Sequence, residues 1–269
     1  FPCHFKPEFF SERTEQDKSC ILVDDADRTV GAASKRACHV VAPDGSIPLH
    51  RAFSLFLFNT RGEMLMQRRG KKKAEGSGEG KGKVGKYLAN QIWSPNTAKV
   101  EKNSVNFFLN FVKCVANHTN VEMKVTFPNV YTNACCSHPL WMDGQEESII
   151  NAVQRRLTHE LGIPPEQMSP SDFTLLTRIH YHHTGDGRWG EHEMDYILFM
   201  QKDVYLEPNK DEIDELVFVP RAGLEQTISK FEAPISPWFK LIMKHRLKFW
   251  WDNLHQLEHC KDDNIHKFT

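Results

Sequence analysis

Residues 146–161, Glu-Glu-Ser-Ile-Ile-Asn-Ala-Val-Gln-Arg-Arg-Leu-Thr-His-Glu-Leu, carry apolar side chains at 149, 150, 153, 157 and 161, the spacing of one helix face. Gly162 supplies a C-cap, and Pro164-Pro165 forbid continuation. A helix with one apolar stripe must bury it, and the flanking sequence offers extended partners. Residues 20–24 read as a strand ending in the acidic turn 24–28, and residues 52–58, Ala-Phe-Ser-Leu-Phe-Leu-Phe, as a fully buried strand. A turn at 59–62 then leads to a second strand at 64–68, making a hairpin. Short extended pieces at 125–127 and 130–133 are split by Pro128. Strands follow at 174–182 and 194–200, with a turn at 184–187 between them. From Trp238 through Trp251 the pattern is an apolar, aromatic helix whose Phe249-Trp250-Trp251 cluster reads as core. Mixed strands around a long helix predict an α/β or α+β domain.

The spacing of these segments predicts one globular unit over 20–256, with an extension at 1–19, an insert at 70–123 and a tail at 257–269. The insert opens with a glycine-lysine tract, and its mixed charge predicts a solvated loop rather than a phosphate cradle. A net charge of -1 argues against a nucleic-acid partner, which needs a basic stripe. Seven cysteines, an odd number that includes a vicinal pair, fit a reducing compartment better than a disulfide framework. No apolar run approaches the roughly 18 residues of a membrane span, and the first residues lack a signal-peptide pattern. The expectation is a cytoplasmic monomer, with peroxisomal residence as the alternative location.

Chemistry concentrates in Thr132-Asn133-Ala134-Cys135-Cys136-Ser137-His138-Pro139-Leu140. A Cys and a His at i and i+2 on an extended backbone share a face, and a cation beside a thiol lowers its pKa. The bland alternative is a structural cysteine beside a satisfied histidine. Glu191 and Glu193 in Trp189-Gly190-Glu191-His192-Glu193 likewise aim two carboxylates to one side of a strand. With His39, His50 and His138 they make three imidazoles and two carboxylates, a donor set suited to zinc, manganese or magnesium. Arg156 and Glu160 lie four apart and share a face of the helix, which on spacing alone reads first as an ordinary salt bridge.

Four segments, His50-Arg51-Ala52-Phe53-Ser54, the Cys-Cys-Ser-His-Pro run, Arg155-Arg156-Leu157-Thr158-His159-Glu160-Leu161-Gly162, and Trp189-Gly190-Glu191-His192-Glu193-Met194-Asp195-Tyr196, closely resemble the eukaryotic type I isopentenyl-diphosphate isomerases. The resemblance covers residues 20–69 and 124–256. It implies a Nudix-like α/β/α sandwich with a mixed sheet. The helix at 147–163 then corresponds to the Nudix box, Gx5Ex7REUxEExGU. Glu147 and Arg155 keep its spacing, while Arg156 and His159 stand where hydrolases hold glutamates.

The same resemblance implies roles. His39, His50, His138, Glu191 and Glu193 would ligate one divalent ion, Mg²⁺ or alternatively Zn²⁺ or Mn²⁺. Cys136 would act on one face of a small diphosphate substrate, and Glu193, helped by Tyr181, on the other, with Trp238 facing a carbocation. Lys35, Arg69, Lys124 and Arg156 would anchor the diphosphate with Ser137, and Glu160 would hold a second Mg²⁺. His180, His182 and His183 match nothing in the family and are assigned surface or supporting roles. Two rival readings stand beside this one: a Nudix diphosphate hydrolase, and a noncatalytic zinc-binding interaction module.

Overall fold

A computed structural model describes residues 18–70 and 126–268. Most of the 1–19 extension, nearly all of the 70–123 insert, and Lys124 therefore lie outside the described residues.

The chain opens with strands β1 (Ser19–Val23) and β2 (Thr29–Ser34), paired antiparallel. Asp24 closes the turn between them by accepting hydrogen bonds from the Ala26 and Arg28 amides at 3.0 and 2.9 Å. Ser34 caps the short helix α1 (Lys35–His39), its hydroxyl accepting from Ala37 N at 3.2 Å. Strand β3 (His50–Phe58) is buried along its whole length, as its unbroken apolar run predicts, and β4 (Met64–Arg69) follows the turn at 59–62. Strands β5 (Tyr131–Asn133), β6 (Cys135–Ser137), β7 (Leu140–Met142) and β8 (Gln145–Glu146) lead into helix α2 (Ile149–Leu161). Gly162 ends α2 at φ +64, where a Cβ would stand 2.2 Å from the Glu207 carbonyl oxygen, so glycine is required on both counts. Then come β9 (Thr174–His183), β10 (Glu191–Gln201), β11 (Ile213–Val219) and α3 (Leu224–Ile228). Helix α4 (Pro237–Ile242) passes through a π turn, Met243–Leu247, directly into α5 (Lys248–Asp252), and β12 (Ile265–Phe268) is the last strand.

These strands form one mixed sheet whose main path is β12-β9-β10-β3-β1-β7-β8. Strand β10 runs parallel to β3, with Glu193 opposite His50, and antiparallel to β9, with Glu193 opposite Tyr181. Strand β6 pairs antiparallel with β3, with Cys136 opposite Ser54.

The pleat of β3 sorts the core into two layers. Phe53, Leu55 and Leu57 pack with Ala152, Val153, Leu157 and Leu161 of α2. Phe56 and Phe58 face the other way, against Trp238, Phe239, Ile242, Leu247, Trp250 and Trp251 from the α4–α5 rod. Helices therefore cover both faces, the α/β/α sandwich of a Nudix fold. Each buried leucine or phenylalanine contributes about 1.5–3 kcal/mol.

Two segments differ from the sequence reading. Phe249 is 49% exposed, so the core of its cluster is Trp250 and Trp251 alone. Residues 257–269, read as a tail, include β12, which adds to β9 in parallel while Phe268 stacks on the His245 ring at 4.6 Å between centroids. Only one of its side chains is fully buried, so alternation gives no warning of a strand there.

Candidate active site

The even-numbered side chains of β3 and the odd-numbered ones of β9 and β10 share the sheet face under the α4–α5 rod. This face carries His50, Ser54, Tyr181, Glu191, Glu193 and Asp195, all buried. His39 arrives from the last residue of α1, and His138 from the residue after β6.

The three histidine rings stand with centroids 4.8, 5.0 and 5.0 Å apart. One ligand atom from each of His39, His50, His138 and Glu193 falls within 4.8 Å of all the others. His39 Nδ1 meets the Lys35 carbonyl and His50 Nδ1 the Pro48 carbonyl, the latter at 2.9 Å. A carbonyl only accepts, so both Nδ1 atoms carry hydrogen and both Nε2 lone pairs face the cluster, the tautomer a metal-ligating imidazole needs. Among the described residues His50 Nε2 is buried without a hydrogen-bond partner, standing 3.7 Å from Glu193 Oε1. The donor set and that orphaned atom both fit a divalent cation.

Electrostatics sharpen the picture. Burial, then the charges of His50 and His138, hold His39 well below the usual imidazole pKa. Burial opposes ionisation of Glu193, but the hydrogen bond to His138, at 2.9 Å, and the nearby His50 ring, 3.7 Å away, prevail and hold it well below the carboxylate range. Glu191 is one step removed, reached through the Tyr181 hydroxyl, which donates to Glu191 Oε2 at 3.0 Å and also to Glu193 Oε2. Burial and then the Glu193 charge push Glu191 up to about 8.

Cys136 Sγ lies 3.1 Å from Trp238 Nε1, 2.9 Å from Asn133 Oδ1 and 3.4 Å from Ser54 Oγ. The expectation that His138 lowers this thiol's pKa does not hold. His138 Nε2 is engaged by Glu193, and burial followed by the Asp195 charge raises Cys136 to about 12. Burial thus keeps the thiol protonated, and Trp238 and Asn133 hold it in place. The pleat that turns Cys136 to this face turns Cys135 and Ser137 to the other, and Cys135 packs into the core under α2.

The anchoring residues divide. Arg69, at the end of β4, places its guanidinium 5.7 Å from the Trp238 ring and donates to the Thr126 carbonyl at 3.2 Å, and among the described residues its buried Nε has no partner. Lys35 opens α1. Arg156 and Glu160 pair with each other on α2, with Glu212 3.7 Å from Arg156 and Gln67 Nε2 donating to Glu160 at 3.2 Å. The i, i+4 salt bridge is thus real, and the pair lies on the α2 side of the sheet rather than with the histidines.

Sequence reasoning missed Asp195, Ser54 and Asn133. Asp195 Oδ2 accepts from Ser54 Oγ at 2.8 Å. Burial and then Glu193 raise its carboxyl well above the ordinary range. The signal was present, because Glu191-x-Glu193-x-Asp195 extends the same two-residue period.

Comparison with known proteins places this site in context. The NUDIX domain family model matches residues 142–239. The isopentenyl-diphosphate Delta-isomerase 1 of Mesocricetus auratus is 36% identical over 257 residues, spanning 92% of this chain and 91% of that protein. The Bos taurus protein of the same name is 37% identical over 257 residues, with the same coverages of 92% and 91%. An isopentenyl-diphosphate delta-isomerase of Gibberella zeae is 37% identical over 246 residues, spanning 88% of this chain and 77% of that protein.

Proposed function

This chain belongs to the isopentenyl-diphosphate delta-isomerase family and interconverts isopentenyl and dimethylallyl diphosphate, and we propose that it does so by proton transfer between Cys136 and the Tyr181–Glu193 pair. The observation that carries this reading is the placement of the Cys136 thiol and the Tyr181–Glu193 hydrogen bond on one sheet face, with the Trp238 ring against the thiol.

The substrate alkene is unactivated. Moving its double bond requires a proton added at the terminal carbon and another removed from C2, with a tertiary carbocation between. A thiol that burial keeps protonated can donate, and a carboxylate that its neighbours keep ionised can accept. Trp238 offers a π face, an interaction worth about 2 kcal/mol when desolvated. The apolar walls around the site keep out water, which would trap the cation.

His39, His50, His138 and Glu193, with Glu191 beside them, would hold the divalent ion, for which Mg²⁺ is our assignment. When bound, it supplies positive charge that fixes Glu193 and offsets its burial. Lys35, Arg69 and Lys124 would neutralise the diphosphate, Arg69 from beside the Trp238 ring. Arg156, Ser137 and Glu160, with a second Mg²⁺, are the further anchors that the family resemblance implies.

The test is turnover of isotope-labelled isopentenyl diphosphate by purified protein with Mg²⁺, measured alongside phosphate release. Label should appear in dimethylallyl diphosphate without phosphate release, and Glu193→Gln should abolish the conversion. Phosphate release without isomer formation would overturn the reading.

A further inference from the structure

We propose that His180, His192 and His182 form a second cation site, for a borderline transition metal such as Zn²⁺, on the opposite side of the sheet from the active site. On β9 and β10 these residues alternate with Tyr181, Glu191 and Glu193, so the pleat that sends the active-site groups to one face sends these three rings to the other. His180 Nε2 and His192 Nε2 stand 2.8 Å apart, and the His182 ring meets the His192 ring edge-on at 5.0 Å between centroids. The first two rings are half-buried and His182 is exposed, so the site is open to solvent through the ring most able to turn.

Tautomers make this more than a chance contact. His192 Nδ1 lies 2.8 Å from the Ile47 carbonyl oxygen, which can only accept. Nδ1 therefore carries the hydrogen, and Nε2 presents a bare lone pair to His180 Nε2. A backbone carbonyl fixing one ring nitrogen so that the other can ligate is the usual support of a metal-binding histidine. The same pattern occurs at His39 and His50 on the far face.

In the present arrangement one proton bridges the two Nε2 atoms, and among the described residues His180 Nδ1 is buried without a partner. A tetrahedral zinc with bonds of about 2.0–2.1 Å would need about 3.3 Å between nitrogens, a widening of roughly half an ångström. Asp25, ion-paired with Lys267 at 2.9 Å, places a carboxylate whose charge interacts with both rings. Neutral imidazoles favour zinc, copper or nickel, and the His39, His50 and His138 cluster offers the same donors, so zinc would enter both sites and this one is read as the second equivalent.

The experiment is equilibrium dialysis of the full chain against Zn²⁺, with bound metal measured on wild type, His180→Asn, His182→Asn and, as an exposed control, His255→Asn. Wild type and His255→Asn should hold one equivalent more than His180→Asn, and His182→Asn should bind that equivalent at least ten-fold more weakly. Because His182 is exposed, its variant should keep the wild-type circular dichroism, which separates lost ligation from lost folding. Equal Zn²⁺ content in wild type and both variants, or no wild-type uptake beyond one equivalent, would overturn the site.

Discussion

Arg155 grips Glu147 through two parallel hydrogen bonds, Nε to Oε1 at 2.8 Å and Nη2 to Oε2 at 2.7 Å. The same guanidinium donates to the His138 carbonyl at 3.2 Å, and Glu147 Oε2 accepts from the Leu140 amide at 2.9 Å. The fork ties the start of α2 to the loop carrying His138. Two residues that keep their Nudix-box spacing thus act here as a clamp on a histidine of the His39–His50–His138 cluster.

Breaking that clamp should loosen His138 without touching its ring. Arg155→Leu is expected to weaken divalent-ion affinity about 10–100-fold, the usual effect of losing a support behind a ligand, read by metal titration of the apo protein. Unchanged affinity would show that His138 is positioned by Glu193 alone.

The vicinal cysteines should behave as opposites. Cys136→Ala removes the thiol from the reacting face and should lower turnover about 10²–10⁴-fold, the range of general acid–base catalysis. Cys135→Ala empties space in the core under α2 and should cost about 1 kcal/mol of stability while turnover stays near wild type. Steady-state kinetics paired with urea unfolding decides, and a reversed ranking would reassign the thiol.

A pH effect follows from Glu146, whose carboxyl is held below the ordinary range first by the Thr29 hydroxyl and then by Arg51, 2.7 Å away. A depressed folded-state pKa contributes stability above the unfolded value, about 4.3, and loses it as pH falls through the folded one. Glu146→Gln should therefore cost about half a kcal/mol at pH 7, solvent screening keeping it small. The difference should vanish towards pH 3. A urea-unfolding gap that stays constant with pH would contradict this origin.

The segment between Gly70 and Thr126 leaves and re-enters at one place. Arg69 N donates to the Val130 carbonyl at 2.9 Å, Asn129 N to the Arg69 carbonyl at 3.2 Å, and the Arg69 guanidinium to the Thr126 carbonyl. Replacing residues 71–123 with a three-residue linker should preserve thermal stability and turnover, since loop-closure entropy changes only by about 0.6 kcal/mol per halving of length. Unfolding or loss of activity in that variant would make the segment integral to the domain.

Much of this was legible in the chain because period and burial coincide. The stripe at 149, 150, 153, 157 and 161 fixed α2, and the unbroken apolar run fixed β3. The Cys136-x-His138 and Glu191-x-Glu193 pairs fell on one face because a pleat has a period of two. What stayed hidden depends on tertiary partners. Strand β12 is four residues long and mostly polar, and β2 is largely exposed with small side chains. Helix α1 spans only five residues, too short for a stripe. The rise of the Cys136 pKa could not be read either, since it depends on burial and on Asp195 rather than on the neighbouring histidine.

The π turn at Met243–Leu247 has a consequence for the indole beside the thiol. An α-helix rotates about 100° per residue, and a π turn absorbs an extra residue without breaking the rod. That widened turn sets the phase between the rod's two ends, so that Trp238 points at the chemistry while Trp250 and Trp251 point into the greasy floor behind it. Tightening it into plain α-helix with no residue removed would leave both halves helical yet swing them about 100° out of step. Either the tryptophan pair would surface or the indole would turn away from Cys136, so the alignment of the reaction's aromatic wall is stored in a miscounted helix rather than in any contact of the wall itself.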